Sequence, residues 1–83
     1  MSTLEGKTYW VIGASEGLGR EIAKGLVDAG AHVVLSARSG KRLQQLAWAL
    51  GSATPLAMDV TDATSVQDAV KNLGPIDGVV FNA

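Results

Sequence analysis

The segment Gly13-Ala14-Ser15-Glu16-Gly17-Leu18-Gly19 places three glycines within seven residues. It follows a β-branched and aromatic run, Thr8-Tyr9-Trp10-Val11-Ile12, and precedes a stretch in which Leu18, Ile22, Ala23, Leu26 and Val27 recur at helical spacing. Between a strand and a helix, such a turn is suited to cradling phosphate. Gly13 permits a sharp exit from the strand, Gly17 lets backbone approach a pyrophosphate, and Gly19 lets helix and strand pack closely. The N–H groups left over at the helix start face an anion, and the helix dipole favours a diphosphate without help from a lysine. Ser15 offers a hydroxyl either to phosphate or to the helix as a cap. An ordinary strand-to-helix turn would need fewer glycines.

A second group of residues bears on which dinucleotide such a cradle takes. Folds that select NAD place an acidic side chain at the end of the second strand, where it holds both ribose hydroxyls and repels a 2′-phosphate. Here the apolar run His32-Val33-Val34-Leu35-Ser36-Ala37 ends on Ala37 and is followed by Arg38. Arg38 offers a planar fork suited to phosphate oxygens, with Ser36 and Ser39 close enough to assist, so NADP(H) rather than NAD(H) is the expected cofactor. The alternative is a solvated arginine after a strand. Lys41 and Arg42 open the next helix, where positive charge is mildly unfavourable unless an anion lies close; they form either a solvated face or a supporting phosphate contact. Trp10 and Trp48 stand where side chains normally pack, and core or interface filling is the reading preferred over ligand stacking. His32 simply begins a strand.

Composition removes other chemistries. Seven Lys and Arg against eight Asp and Glu give a net charge of -1, too balanced for a nucleic-acid or membrane-surface partner. There is no cysteine and one histidine, which excludes a disulfide scaffold, thiol catalysis and a Cys/His zinc site. The N-terminus lacks the pattern of a signal peptide, and no apolar run reaches membrane-spanning length, so a soluble, cytoplasmic protein is expected.

The elements that must hold these residues alternate strand and helix. After the first strand and its helix, closed by Gly30, comes a strand over 32–37, then a helix capped by Ser39 with Leu43, Leu46, Ala47 and Leu50 on its apolar face, ending at Gly51. A third strand over 53–60 has Pro55 near its start. Asp62 caps a third helix carrying Val66, Ala69, Val70 and Leu73, stopped by Gly74-Pro75, and a fourth strand covers 76–83. Four strands and three short-linked helices in βαβαβαβ order read as an α/β chain with a parallel sheet built from right-handed crossovers. The fourth strand closes the sequence with its outer edge unpaired, so residues 1–83 are expected to be the N-terminal half of a doubly wound Rossmann domain, incomplete at its C-terminus.

The spacing Gly-x-x-x-Gly-x-Gly, preceded by Lys7-Thr8 and Val11 and continuing as Gly13-Ala14-Ser15, resembles the short-chain dehydrogenase/reductase family. Asp59-Val60-Thr61-Asp62 is similar to that family's Asp-Val-Thr-Asp, and Asn82-Ala83 to the middle of its Asn-Asn-Ala-Gly. The likeness spans the whole chain in three ordered motifs and favours the compact oxidoreductase branch. It implies that Gly13, Ser15, Glu16, Gly17, Leu18, Gly19, Arg38, Ser39, Asp59, Val60, Asn82 and Ala83 face the cofactor. Asp59 would accept from the adenine amino group with the Val60 backbone beside the ring, and Asn82 would lie along the adenosine ribose. Capping the local turn is the alternative for Asp59, and satisfying local backbone for Asn82. Two family polar positions are replaced by Ile12 and Phe81, which implies an apolar contact between adjacent strands. Glu16 stands where many NADP-preferring relatives carry a basic residue.

The same resemblance implies hydride transfer between nicotinamide and a carbonyl or alcohol substrate, by a homo-oligomer of the complete enzyme. It also implies a Tyr-x-x-x-Lys pair assisted by Ser and Asn. That pair is not in these residues: Tyr9 is the one tyrosine, and Gly13 stands four residues on. The chain by itself is therefore expected to be inactive, a cofactor-binding fragment of a larger enzyme. The alternatives are a stand-alone nucleotide-binding module and a self-assembling half-domain without catalysis.

Overall fold

The computed structural model describes residues 3–14 and 17–82. Its elements are β1 (Thr8–Ile12), α1 (Gly17–Asp28), β2 (His32–Ser36), α2 (Gly40–Leu50), β3 (Ala53–Pro55), α3 (Ala63–Asn72) and β4 (Gly78–Phe81). All neighbouring strands are parallel, in the order β3-β2-β1-β4. This order opens the doubly wound 3-2-1-4-5-6 arrangement, whose reversal point lies between the first and fourth strands.

The alternation of side chains along β1 explains the layering. Val11 faces one side with Val33 and Leu35, under Ala23 of α1 and Leu43, Leu46 and Ala47 of α2. Trp10 and Ile12 face the other with Met58 and Ala69 of α3. Strands covered on both faces need near-continuous apolar sequence, as β1 and β2 have.

Local chemistry sets the ends. After α1, Gly30 at φ +99° donates to the Val27 carbonyl while Ala31 donates to that of Leu26, the paired bonds of a Schellman cap. Ser39 Oγ caps α2 by accepting from Arg42 N–H at 3.3 Å, and Asp62 Oδ1 caps α3 by accepting from Thr64 and Ser65 N–H at 3.0 and 3.4 Å.

Several expectations are corrected. The third strand is three residues long; beyond it the Leu56 and Met58 N–H groups still donate to the Leu35 and Ala37 carbonyls, at 2.7 and 2.9 Å, while Pro55 sits in an edge strand with its nitrogen turned away from β2, where no ladder bond is lost. The second strand stops at Ser36 and the fourth occupies Gly78–Phe81. Trp48 fills no core: it is 91% exposed, since it follows Ala47 by one residue and so lies about 100° around the helix from the buried stripe. Val70 is likewise 52% exposed. Trp10 is buried, as its position implied.

Candidate functional site

The site begins at the exit of β1. Gly13 has φ +84°, and a Cβ there would collide with the Asn82 carbonyl oxygen. Gly19, in the first turn of α1, is as constrained: a Cβ would collide with the Gly13 carbonyl oxygen and reach 3.0 Å from Asn82 Nδ2. Asn82 closes the arrangement from β4, with its N–H donating to Ile12 at 2.9 Å and its side-chain amide to the Gly13 carbonyl at 3.5 Å. Three backbones therefore meet where any side chain would force them apart. Gly17 at φ +63° opens α1, with no described atom within 4 Å of its Cβ position. Leu18 beside it is 65% exposed. Ser15, Glu16 and Ala83 lie outside the described residues.

A cleft of about 560 Å³ opens at this end of the sheet, lined by Gly13, Ala37, Arg38, Ser39, Arg42, Val60 and Asn82, with Ile12, Met58 and Phe81 as its apolar part. Two guanidinium side chains and no carboxylate line it among the described residues. Gly13, Arg38, Ser39, Val60 and Asn82 were singled out from sequence and come together here. Arg42, weighed there as a solvated residue or a supporting contact, belongs to the lining. Met58 was missed as a lining residue; the third strand's extension beside β2, past Pro55, is what carries it in.

Asp59 lies in an adjoining depression shared with Arg38, Ala57, Met58 and Ser65. Its Oδ1 accepts from Thr61 Oγ1–H at 2.7 Å and Thr61 N–H at 2.9 Å, while its own N–H donates to Ser65 Oγ at 3.0 Å. The Thr61 hydroxyl, then the Thr61 N–H, and last the charge of Arg38 hold the carboxyl below its ordinary range. The turn-capping alternative is thus realised in this structure, through one of the two carboxylate oxygens.

Ser36 departs from expectation. Placed from sequence near the 2′-phosphate, it is fully buried, and its Oγ accepts from Trp10 Nε1–H at 2.8 Å inside the sheet face under α3. Ile12 and Phe81 pair in register on adjacent strands. Both line the cleft, but Phe81 stays 60% exposed and does not join the cluster that buries Ile12. No group of His, Cys, Asp and Glu side chains among the described residues forms a metal site, and no helix among them is long and apolar enough to cross a membrane.

The sequence profile of the short chain dehydrogenases matches residues 7–83. The chain belongs to the short-chain dehydrogenase family. It is similar to L-xylulose reductase of Mus musculus, with 35% identity over 80 residues, 96% of this chain and 33% of that protein. Among solved structures it resembles L-sorbose reductase from Gluconobacter frateurii complexed with NADPH and L-sorbose, at TM-score 0.90 and 34% identity over 96% of this chain and 34% of that one. It also resembles 3-ketoacyl-(acyl-carrier-protein) reductase from Brucella melitensis complexed with NADH, at TM-score 0.85 and 29% identity, covering 93% and 34% of the two chains. This short-chain dehydrogenase sequence thus spans about a third of the length of these relatives.

Proposed function

We propose that these residues form the adenosine and pyrophosphate side of the cofactor cleft of an NADP(H)-dependent short-chain oxidoreductase. The observation that carries the choice of NADP(H) is the lining at the end of β2, where Ala37 replaces an acid and Arg38 and Arg42 supply the only charged side chains of the cleft among the described residues. A carboxylate at this place would repel a 2′-phosphate; a guanidinium binds one through paired N–H donors.

The residues fit such a group. Gly13 and Gly19 bring α1 against the strand ends with no room for a Cβ, which aims the first N–H groups of the helix at a bound diphosphate. Arg38 and Arg42 would hold the 2′-phosphate, with Ser39 donating its hydroxyl proton while its oxygen caps α2. The second oxygen of Asp59 would face the adenine amino group beside Val60, and Asn82 the adenosine ribose. By the family resemblance Gly17 and Leu18, with Ser15, Glu16 and Ala83, would also face the cofactor. The cofactor supplies hydride to, or takes it from, a carbonyl or alcohol carbon. These residues bind and orient it, and none of them is placed to move the accompanying proton.

That two solved relatives are complexed with NADPH and NADH respectively supports a dinucleotide without choosing between the two. The choice is tested by the double substitution Ala37→Asp with Arg38→Leu. It should move preference toward NADH, and unchanged affinities for both cofactors would contradict the assignment. The protein is proposed to be cytoplasmic and, as a complete enzyme, a homo-oligomer acting on a small carbonyl or alcohol compound.

A further inference from the structure

We infer that Trp10 and Ser36 form a buried positioning pair that fixes the geometry of the cofactor cleft from beneath; this rests on the dinucleotide reading above. Among the described residues Ser36 is the one polar side chain that is buried, with no exposed surface, and Trp10 is 7% exposed. Neither lines the cleft. They stand on the same sheet face, Trp10 in β1 and Ser36 at the end of β2, and are joined by the 2.8 Å bond from the indole N–H to the serine oxygen.

An apolar pair of similar volume would fill this space without burying polar groups, which cost free energy unless bonded. What the polar bond adds is direction: it fixes the orientation of Ser36 relative to β1. Two consequences follow at the next atoms along the chain. The Ser36 carbonyl accepts from Gly13 N–H at 2.7 Å and Ala14 N–H at 3.2 Å, so it anchors the opening of the glycine turn. The residues immediately after it, Ala37 and Arg38, line the cleft at the place proposed for the 2′-phosphate. One residue thus has its side chain pinned by the core, its carbonyl pinning the pyrophosphate turn, and its C-terminal neighbours carrying the choice of cofactor. Trp10 and Ser36 act through these groups and touch no cofactor themselves.

The test is a double-mutant cycle on Trp10→Phe and Ser36→Ala, reading NADPH and NADH affinity by fluorescence titration alongside the melting temperature. Each single change should weaken NADPH binding to the folded protein by about three- to tenfold, and NADH binding by less, because the 2′-phosphate contact depends on Arg38. The double variant should lose no more than the worse single one. Coupling is reciprocal, so in the unaltered chain saturating NADPH should slow hydrogen exchange of the Trp10 indole N–H by at least about threefold. The exposed Trp48 indole serves as the control. Unchanged NADPH affinity in both single variants, losses that add, or indole exchange indifferent to NADPH would each overturn the inference. A fall in melting temperature alone, with affinities kept, would reduce the pair to a structural role and overturn it equally. If a variant does not fold, the exchange measurement on the unaltered chain decides. An unaltered chain that binds neither dinucleotide overturns the cofactor reading itself, and with it the ground for the pair.

Discussion

At Gly19 one methyl group decides whether α1 can sit on the end of the sheet. Its Cβ would meet backbone, the Gly13 carbonyl oxygen, which cannot rotate away as a flexible side chain could. Gly19→Ala should therefore cost about 3 kcal/mol, at the upper end for overpacking. Gly25→Ala, in the same helix with nothing within 4 Å, should instead gain about 0.5 to 1 kcal/mol. Thermal unfolding followed by circular dichroism checks both, and similar melting temperatures for the two variants would contradict the close-packing argument. At Asp59 the lowered pKa, held chiefly by Thr61, means that the carboxylate favours the folded state above its ordinary pKa, and that this contribution is lost as pH falls through the lowered folded value. Thr61→Val should raise the Asp59 pKa toward its ordinary range, measured by the pH titration of its carboxyl carbon in nuclear magnetic resonance; an unmoved pKa would show that Thr61 is not the cause. Both site glycines were legible from spacing alone, because only glycine serves where backbones touch. The partner of Ser36 was not, since a bond to Trp10 joins two strands whose register no single segment encodes.

Among the elements, β4 differs from its neighbours. Val79 and Phe81 point to the face that α3 covers over β1, yet are 53% and 60% exposed, and β4 is an edge of the sheet. An apolar edge strand is a template for further pairing. The 83-residue chain by itself should self-associate, and Val79→Thr with Phe81→Asp should shift sedimentation toward the monomer. A wild-type chain that sediments as a monomer at all concentrations would contradict this reading. The order of elements was readable because apolar period, caps and glycines agree for every helix. Strand ends were less so: from sequence, Leu56 to Val60 look no different from a paired strand, and only the one-way bonds from Leu56 and Met58 show where the regular ladder stops.

For the whole molecule, binding and chemistry separate. The described residues bring a glycine turn, a cleft lined by Arg38 and Arg42 and the Asp59 depression to one end of the sheet, but the one tyrosine of the sequence, Tyr9, lies within β1. Holding donor, acceptor and proton source in one geometry supplies much of an enzyme's acceleration. The 83-residue chain should accordingly show no loss of NADPH absorbance with ketones beyond the uncatalysed background, and clear turnover would place a proton donor where none is assigned. Substrate identity stayed illegible because none of the assigned residues faces a substrate, whereas the proposed choice of cofactor has a residue to rest on, Arg38, just past the end of β2 in the cleft lining. The most direct measurement is calorimetric titration of the unaltered protein with NADPH and with NADH. A charged hydrogen bond to the 2′-phosphate should give NADPH about ten- to a hundredfold tighter binding, and equal affinities or a preference for NADH would contradict the role assigned to Arg38.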